Sequence, residues 1–489
     1  MEFFWYDYEA WGKKPLKDRI VQFGGVRTNE ELEWIGEPIE FKCKPGLDCP
    51  IGPGAVNVHK IMPMEAHREG LPEGEFAAQI HTELSKPGTC SVTYSGMGYD
   101  HELTRVLFYR NLRDPYAWAW KNGNTMWDTI DLIRAAFLLI PEALTHWPKK
   151  EDGRVSFKLE DLSAANLEQN HLGKYHTAKA DTLYMLELAK LIRERARDLW
   201  DYALELRFKK NISSIMNCDE PILHIFWKIG TKRYCATLLS SLGQLKCNQN
   251  EIFAFDLYND PTPLLKPYQD WTSQDKQFAR NSILSVKSNK SPFVCKWSHT
   301  EYLLSPALSS ENVCDRIQLK ESDALGRHRL LKEYINRESE DPFSEFLGDE
   351  EAKRQRRFLS HNPDPDEAIY HEFISDVDRR LMDQVLKEGA GFDWHTIQSD
   401  DPRVEPLIFR YLARNYPEIL DDEGTQRWYS YCRLLQLERT ERRKINADQI
   451  FSIELRDKSD PWGSLDESQV KDLLRWQNRV RELLGKNQE

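Results

Sequence analysis

The sequence predicts an α/β protein in three parts: a mixed strand-and-helix segment, a smaller mostly β segment, and a helical remainder. Three observations predict it. Apolar runs broken by Gly, Pro and Asn-Glu turns open the chain and give way to helix-period stretches. Between about 215 and 310 the texture changes to short apolar runs separated by polar turns, and beyond Glu311 the chain becomes highly charged with helical periodicity. The 489 residues suffice for roughly two to four domains. With 15 Trp, 19 Tyr and 21 Phe the chain carries core-building material that a disordered chain lacks.

The opening FFWYDYEAWG, then Arg19–Thr28 and Glu37–Cys43, read as three antiparallel strands. His101–Asn111, Thr129–Leu144 and Ala178–Leu206 follow with helical spacing, giving an α/β unit over residues 1–195. The runs Pro221–Trp227, Arg233–Leu239, Ile252–Leu257, Ser282–Val286 and Pro292–Trp297 make a β domain within 196–348. Glu350–Phe358 (EEAKRQRRF), followed by Asn-Pro-Asp-Pro at 362–365, reads as a connector. In the last part, 349–489, helices are expected over Asp366–Lys387, Arg403–Asn415, Gly424–Glu441 and Ser468–Leu484, with Ser375 and Asp466 as N-caps.

No run approaches 18 consecutive apolar residues and position 2 is acidic, so neither a membrane span nor a signal peptide is expected. The nine cysteines show no zinc-ligand spacing and read as thiols of a cytoplasmic protein. The net charge of −12 excludes indiscriminate binding to nucleic acid. Residues 201–300 run against it, with 13 Lys+Arg against 9 Asp+Glu, which would let a local basic track hold a polyanion.

Asp7 and Glu9 lie two apart in a strand and so face the same side. They are either solvent-facing carboxylates of an edge strand or, given the apolar flanks, a buried pair that needs a cation. Asp100 opens a helical pattern as an N-cap or a third ligand. His176 and Asp181 cannot share a helical face at a spacing of five, so His176 belongs to the incoming loop and Asp181 to the helix.

Taken in order, Asp7-x-Glu9, Asp100 and His176-x-x-x-x-Asp181 resemble the DEDD exonucleases, histidine subclass. Longer runs narrow the resemblance to the bacterial exonuclease I family: DYEAWG, RIVQFGGVRT, PGAVNVHKIMPMEA, FYRNLRDPYAWAW and WDTIDLIRAA, then SVKSNKSPFV, YHEFISDVDR and LIFRYLARNYPEIL. It covers nearly the whole chain. The resemblance implies an RNase H-like exonuclease domain, an SH3-like β domain, and a C-terminal helical domain closing a cleft over single-stranded DNA. It implies a 3′→5′ exodeoxyribonuclease of DNA repair and recombination that releases nucleoside 5′-monophosphates, working as a monomer with room for protein partners. Asp7, Glu9, Asp100 and Asp181 would hold two Mg²⁺ ions, with Mn²⁺ able to substitute, and His176 would be the general base. His59 and Ile61 would hold the 3′ end, with Tyr8 and Trp11 as pocket walls or as core. Ser95 stands where the family has Asn, Lys60 where it prefers Gly, and Thr177 where it commonly has an acid. Arg207, Lys209, Lys210, Lys287 and Lys290 are candidates for the basic track or are ordinary solvated charge. The alternatives are the same active site used on RNA or structured 3′ ends, and a single-strand-binding module that recruits other proteins.

Overall fold

The computed structural model describes residues 1–168, 176–337, 341–359, 362–442 and 465–485. It forms two compact units, Met1–Asn124 with Leu172–Leu183 and Pro363–Glu489, and Thr125–His171 with Tyr184–Asn362.

In the first unit, strands β1 (Glu2–Ala10), β2 (Ile20–Thr28), β3 (Ile39–Lys42) and β4 (Thr89–Thr93) lie side by side in the order β3-β2-β1-β4. The first three are antiparallel, as the turn-separated runs predict, and β4 joins β1 in parallel. Alternation along β1 sends Phe4, Tyr6 and Tyr8 to one face, where all three pack on Phe23 of β2. Asp7 and Glu9 therefore face the opposite side, at the carboxyl end of the strand.

A second core joins this early segment to the end of the chain. Trp11, Val21, Val56, Ile61, Val106 and Tyr109 pack with Ile408, Leu412, Trp428, Leu473 and Val480. The latter come from helices Val404–Asn415, Asp422–Arg442 and Glu467–Gly485. A buried ionic network crosses the same boundary. The Asp48 carboxylate accepts from Arg19 at 2.7 Å and from Arg414 at 2.7 Å, Asp366 accepts from both arginines, and Arg110 binds Glu73 at 2.9 Å. Burial alone would raise these carboxyls, but the guanidinium groups outweigh it. Asp366 is held at about 2, and Asp48 and Glu73 are also depressed. Ser375 and Asp466 cap their helices as expected, accepting from the Asp378 and Gln469 backbone N–H groups at 3.1 and 2.9 Å.

The second unit contains strand β5 (Thr125–Asp128) and an antiparallel sheet of β6 (Ile222–Ile225), β7 (Ala236–Gln244), β8 (Glu251–Asp256), β9 (Ile283–Lys287) and β10 (Val294–Lys296). Its order is β10-β6-β7-β8-β9, one strand from each of the five apolar runs. Three expectations change. Residues 350–358 belong to the helix Pro342–Leu359 rather than a connector. Their opposite charges pair three apart along the helix, Glu350 with Lys353 and Glu351 with Arg354. Arg280 and Glu251 then tie that helix to the β part through Glu350 and Arg354. The stretch expected as one helix from Ala178 to Leu206 breaks at Ala196, giving Ala178–Arg195 and Arg197–Glu205. The helix expected from Asp366 starts only at Asp376, after its cap. Among the described residues, no helix is long and apolar enough to cross a membrane.

Candidate active site

Three segments of the first unit bring acidic groups together. Asp7 and Glu9 project from the end of β1. Asp100 is the first residue of the helix Asp100–Arg110, whose cap position is Tyr99 with no side-chain cap bond, so Asp100 is not itself the N-cap. Asp181 is the fourth residue of the helix Ala178–Arg195. Its N-terminus is built by Thr177, whose Oγ1 accepts from the Ala180 N–H at 3.3 Å, so Thr177 caps as an aspartate could. His176 precedes it with φ of 64°, and its N–H points to Asp181 Oδ1 at 3.4 Å. The loop position and helical position inferred from the spacing are those observed. One ligand atom each from Glu9, His176 and Asp181 lie within 4.8 Å of one another.

The helix start reaches the sheet because position 24 is glycine. Gly24 is the partner of Asp7 in the β1–β2 ladder, so a side chain there would share the face of the Asp7 carboxylate. An added Cβ would lie 2.2 Å from the Lys179 backbone N and 2.3 Å from the Ala178 carbonyl carbon. Gln22, two residues earlier on the same face, accepts from the Ala178 N–H at 3.1 Å, and Thr182 Oγ1 donates to the Gly24 carbonyl at 3.2 Å. Sequence reasoning missed Gln22 and Gly24. Their signal, a polar residue and a Gly pair inside the apolar run RIVQFGGVRT, is legible only once the docked helix is known. It also missed Tyr99, whose hydroxyl donates to the Gly12 carbonyl and ties the loop after β1 to the start of the Asp100 helix.

The electrostatics are those of crowded like charge. Burial pushes the Asp7 carboxyl well up, and the charges of Asp100, Asp181 and Glu9 push it further. Glu9 is raised to about 8 by burial and by Asp181 and Asp100. The all-oxygen carboxylate set with one imidazole at its edge suits a hard divalent ion such as Mg²⁺ or Mn²⁺. The residues present therefore fit the metal that the resemblance implies.

Around the cluster, the helix Pro53–His59 buries His59 and leads to buried Ile61. Burial lowers the His59 imidazole to about 4, and His176 and Lys60 add to the shift. Trp11 is buried just beyond β1, its ring edge-on to His59 at 5.3 Å. Tyr8 is not brought to the site: it lies on the other face of β1 and shares a 3.0 Å hydrogen bond with Thr104, which is the core-packing alternative. Ser95 is exposed in the turn before Asp100 with φ of 61°, and Lys60 ends its helix at φ 59°. Two of the three departures from the family thus fall at left-handed positions, where Asn and Gly are the low-strain residues. In the second unit Lys209, Lys210 and Lys287 are exposed and Lys290 is half-buried. Arg207 is largely covered, stacked 4.1 Å over Phe208 and donating to the Leu204 carbonyl.

A mixed sheet carrying converging carboxylates and a loop histidine defines the class, a nuclease, and residues 4–189 match the exonuclease family. Residues 207–341 match the exonuclease I SH3-like domain and 363–480 the exonuclease I C-terminal domain. Exodeoxyribonuclease I of Escherichia coli K12 is 33% identical over 443 residues, 88% of this chain and 89% of that protein. Two solved structures at 30% identity cover 98% of this chain and 99% of theirs. One is E. coli exonuclease I in complex with a dA16 oligonucleotide, at a TM-score of 0.80. The other is described as SSB/exonuclease I in complex with an inhibitor, at 0.81. The chain belongs to the exonuclease I family. It is an enzyme, a nuclease, and membership implies dependence on divalent metal ions.

Proposed function

We propose that this chain removes nucleotides one at a time from the 3′ end of single-stranded DNA and releases nucleoside 5′-monophosphates. The convergence of Asp7, Glu9, Asp100 and Asp181, with the Asp7 and Glu9 carboxyls raised by burial and by the neighbouring Asp100 and Asp181, is the observation that carries the reading. These four carboxylates would hold two Mg²⁺ ions, which Mn²⁺ could replace. When bound, the ions supply charge stabilisation to the phosphodiester and its leaving oxygen. His176, beside Glu9 and Asp181, is the general base that takes the proton of the attacking water. His59, Ile61, Trp11 and Ser95 would hold the terminal nucleotide. Lys209, Lys210, Lys287 and Lys290 would contact phosphates of the strand, with Arg207 restricted by its packing.

The functional division we adopt keeps 1–195 for the nuclease and moves the later boundary from 348 to 362, so that the helix Pro342–Leu359 stays whole in the SH3-like part and 363–489 forms the helical part. The complex of the E. coli relative with dA16 supports single-stranded DNA as substrate, and the SSB/exonuclease I structure supports a single-strand-binding protein as partner. A monomer acting in cytoplasmic DNA repair and recombination completes the reading.

A 5′-labelled oligonucleotide tests it. Single strands should shorten in a ladder that stops at a duplex junction and ceases on chelation of metal. Equal digestion of blunt duplex, cleavage of a circular single strand, or faster attack on a matched RNA would overturn it.

A further inference from the structure

At the amino end of β4 a cavity of about 340 Å³ is lined by His81, Ser85, Arg113, Lys121 and Asp383, among others. Asn124, which also lines it, accepts from the Thr89 N–H at 3.1 Å. Thr89 pairs with Glu2, and β1 runs about 17 Å from Glu2 to Asp7, so the cavity is separate from the carboxylate cluster. Arg113 is its unusual member. The backbone N–H of Arg113 donates to the Phe108 carbonyl at 2.8 Å, just past the helix Asp100–Arg110. Its guanidinium makes no hydrogen bond or ion pair with any described residue, and its Nε is buried. Asp114 beside it is the contrast: its carboxylate accepts from the Tyr116 and Ala117 N–H groups at 2.8 and 3.0 Å and pairs with Arg379 at 2.8 Å. Ser85 Oγ is likewise buried without a partner. Burial pushes the Arg113 guanidinium below the usual arginine value. Burial and the Arg113 charge lower the His81 imidazole to about 4, against Asp114, so at neutral pH that ring is uncharged. Native proteins seldom leave buried polar groups unpaired, and a guanidinium held out of water is matched by an anion.

We propose that Arg113 anchors a site for a small phosphomonoester, with the phosphate on Arg113 and Lys121 and the organic part in an adjoining cavity. That second cavity, of about 170 Å³, shares Arg113, Asp114 and Asp383 with the first, and Tyr109, Tyr116, Phe373 and Met382 line the rest of it with others. Arg113 thus stands between a polar cavity and an aromatic one. The fork of a guanidinium matches two phosphate oxygens, and the Lys121 ammonium adds a point charge. Aromatic walls suit a planar base, and Tyr109 brings a hydroxyl that is buried without a partner. The first cavity alone reaches the lower bound of small-molecule sites, roughly 300 Å³. Of the two acids shared by the cavities, Asp114 is already paired with Arg379, and Asp383 is exposed to water. A nucleoside 5′-monophosphate combines the required phosphate with a planar body. That choice of ligand rests on the nuclease reading, since it is the product released, whereas the site itself rests on Arg113 and its surroundings.

Isothermal titration of the full-length protein in EDTA tests it, with deoxyadenosine 5′-monophosphate and inorganic phosphate as probes. Chelation keeps metal-bound nucleotide out of the carboxylate cluster. The nucleotide should bind at least about threefold more tightly than inorganic phosphate, because only it fills the aromatic cavity. Arg113→Gln should weaken nucleotide binding by about tenfold, the usual effect of losing a charge-assisted bond. Lys121→Gln should weaken it by about threefold, and Asp383→Asn, which removes an opposing charge, should tighten it. Phe373→Ala, at a position 82% exposed, should weaken the nucleotide and leave inorganic phosphate unchanged. Lys121 and Asp383 are both exposed, so their variants carry the comparison should Arg113→Gln fail to fold. Nucleotide binding that a folded Arg113→Gln protein retains in full overturns the proposal, as do equal affinities for the two probes or no binding of either. A wild type that binds the nucleotide through Arg113 yet leaves single strands uncut in Mg²⁺ would instead overturn the nuclease reading.

Discussion

Replacing Gly24 by alanine tests whether one missing Cβ positions the active site. The added carbon would sit 2.2–2.6 Å from backbone atoms of Ala178 and Lys179, where ordinary contacts begin near 3.4 Å. The helix start must therefore retreat by about 1 Å, since backbone atoms cannot rotate away. Thr182 and Gln22 hold that start by hydrogen bonds to the same strand, so these weaken together. Overpacking of this kind costs about 1–3 kcal/mol of stability. The catalytic cost is larger, because Asp181 and His176 move with the helix while Asp7 and Glu9 stay on β1. A misplacement of about 1 Å is worth on the order of 10²-fold in rate. The assay is the rate of first-nucleotide release from a 5′-labelled single strand at saturating substrate, beside a urea unfolding curve. A folded Gly24→Ala protein with kcat within threefold of wild type would refute the reasoning.

Asp7→Ala should reduce cleavage below a hundredth of wild type while single-strand binding, measured by anisotropy, persists. Because burial and like charge raise the Asp7 carboxyl, metal-free Asp7→Ala should melt no lower than the wild type by calorimetry. His176→Ala should lower kcat by about 10²–10⁴-fold, the usual worth of a positioned base, in single-turnover measurements. Lys60→Gly should raise stability by about 0.5–1 kcal/mol in urea, since φ 59° strains a side chain and glycine adopts it freely. The Asp48, Glu73 and Asp366 carboxyls are depressed in the fold, so the unfolded chain binds protons first. Their contribution is complete above the ordinary carboxyl range near 4 and falls away toward pH 2, where Asp366 titrates. Urea midpoints at pH 6 and pH 3 should differ accordingly, and equal midpoints would count against a stabilising network.

Much of the fold was legible because its signals are local. The five runs of the middle segment are bounded by turn residues, and each yields one strand. Ser375 and Asp466 cap because a short oxygen side chain before a helical pattern has few better uses. At the site, Asp7 and Glu9 were readable from strand alternation, and the positions of His176 and Asp181 from the turn angle of a helix. What escaped depends on contacts across long separations. Gly24 acquires meaning only from residues 178–182, and the pairing of Gln22 with Ala178 spans 156 positions. Asp100 showed the opposite error, since its place before a helical pattern suggested a cap although it is the first helical residue. The charged run at 350–358 misled because its net composition conceals that each acid finds a base one turn away.

The sharing of one core by the first 124 residues and the segment after Pro363 has a consequence for synthesis. A ribosome adds about 5–20 residues per second, so roughly 10–50 s separate the emergence of Asn124 from that of Pro363. Throughout that interval Trp11, Val56 and Ile61 lack the helices that will cover them, and Arg19 and Asp48 lack Arg414 and Asp366. The loop that must close is among the longest the chain could form, which places the completion of this core late in folding. A nascent or prematurely terminated chain thus holds all four clustered carboxylates by residue 181 while the core around Trp11, Val56 and Ile61 is still uncovered.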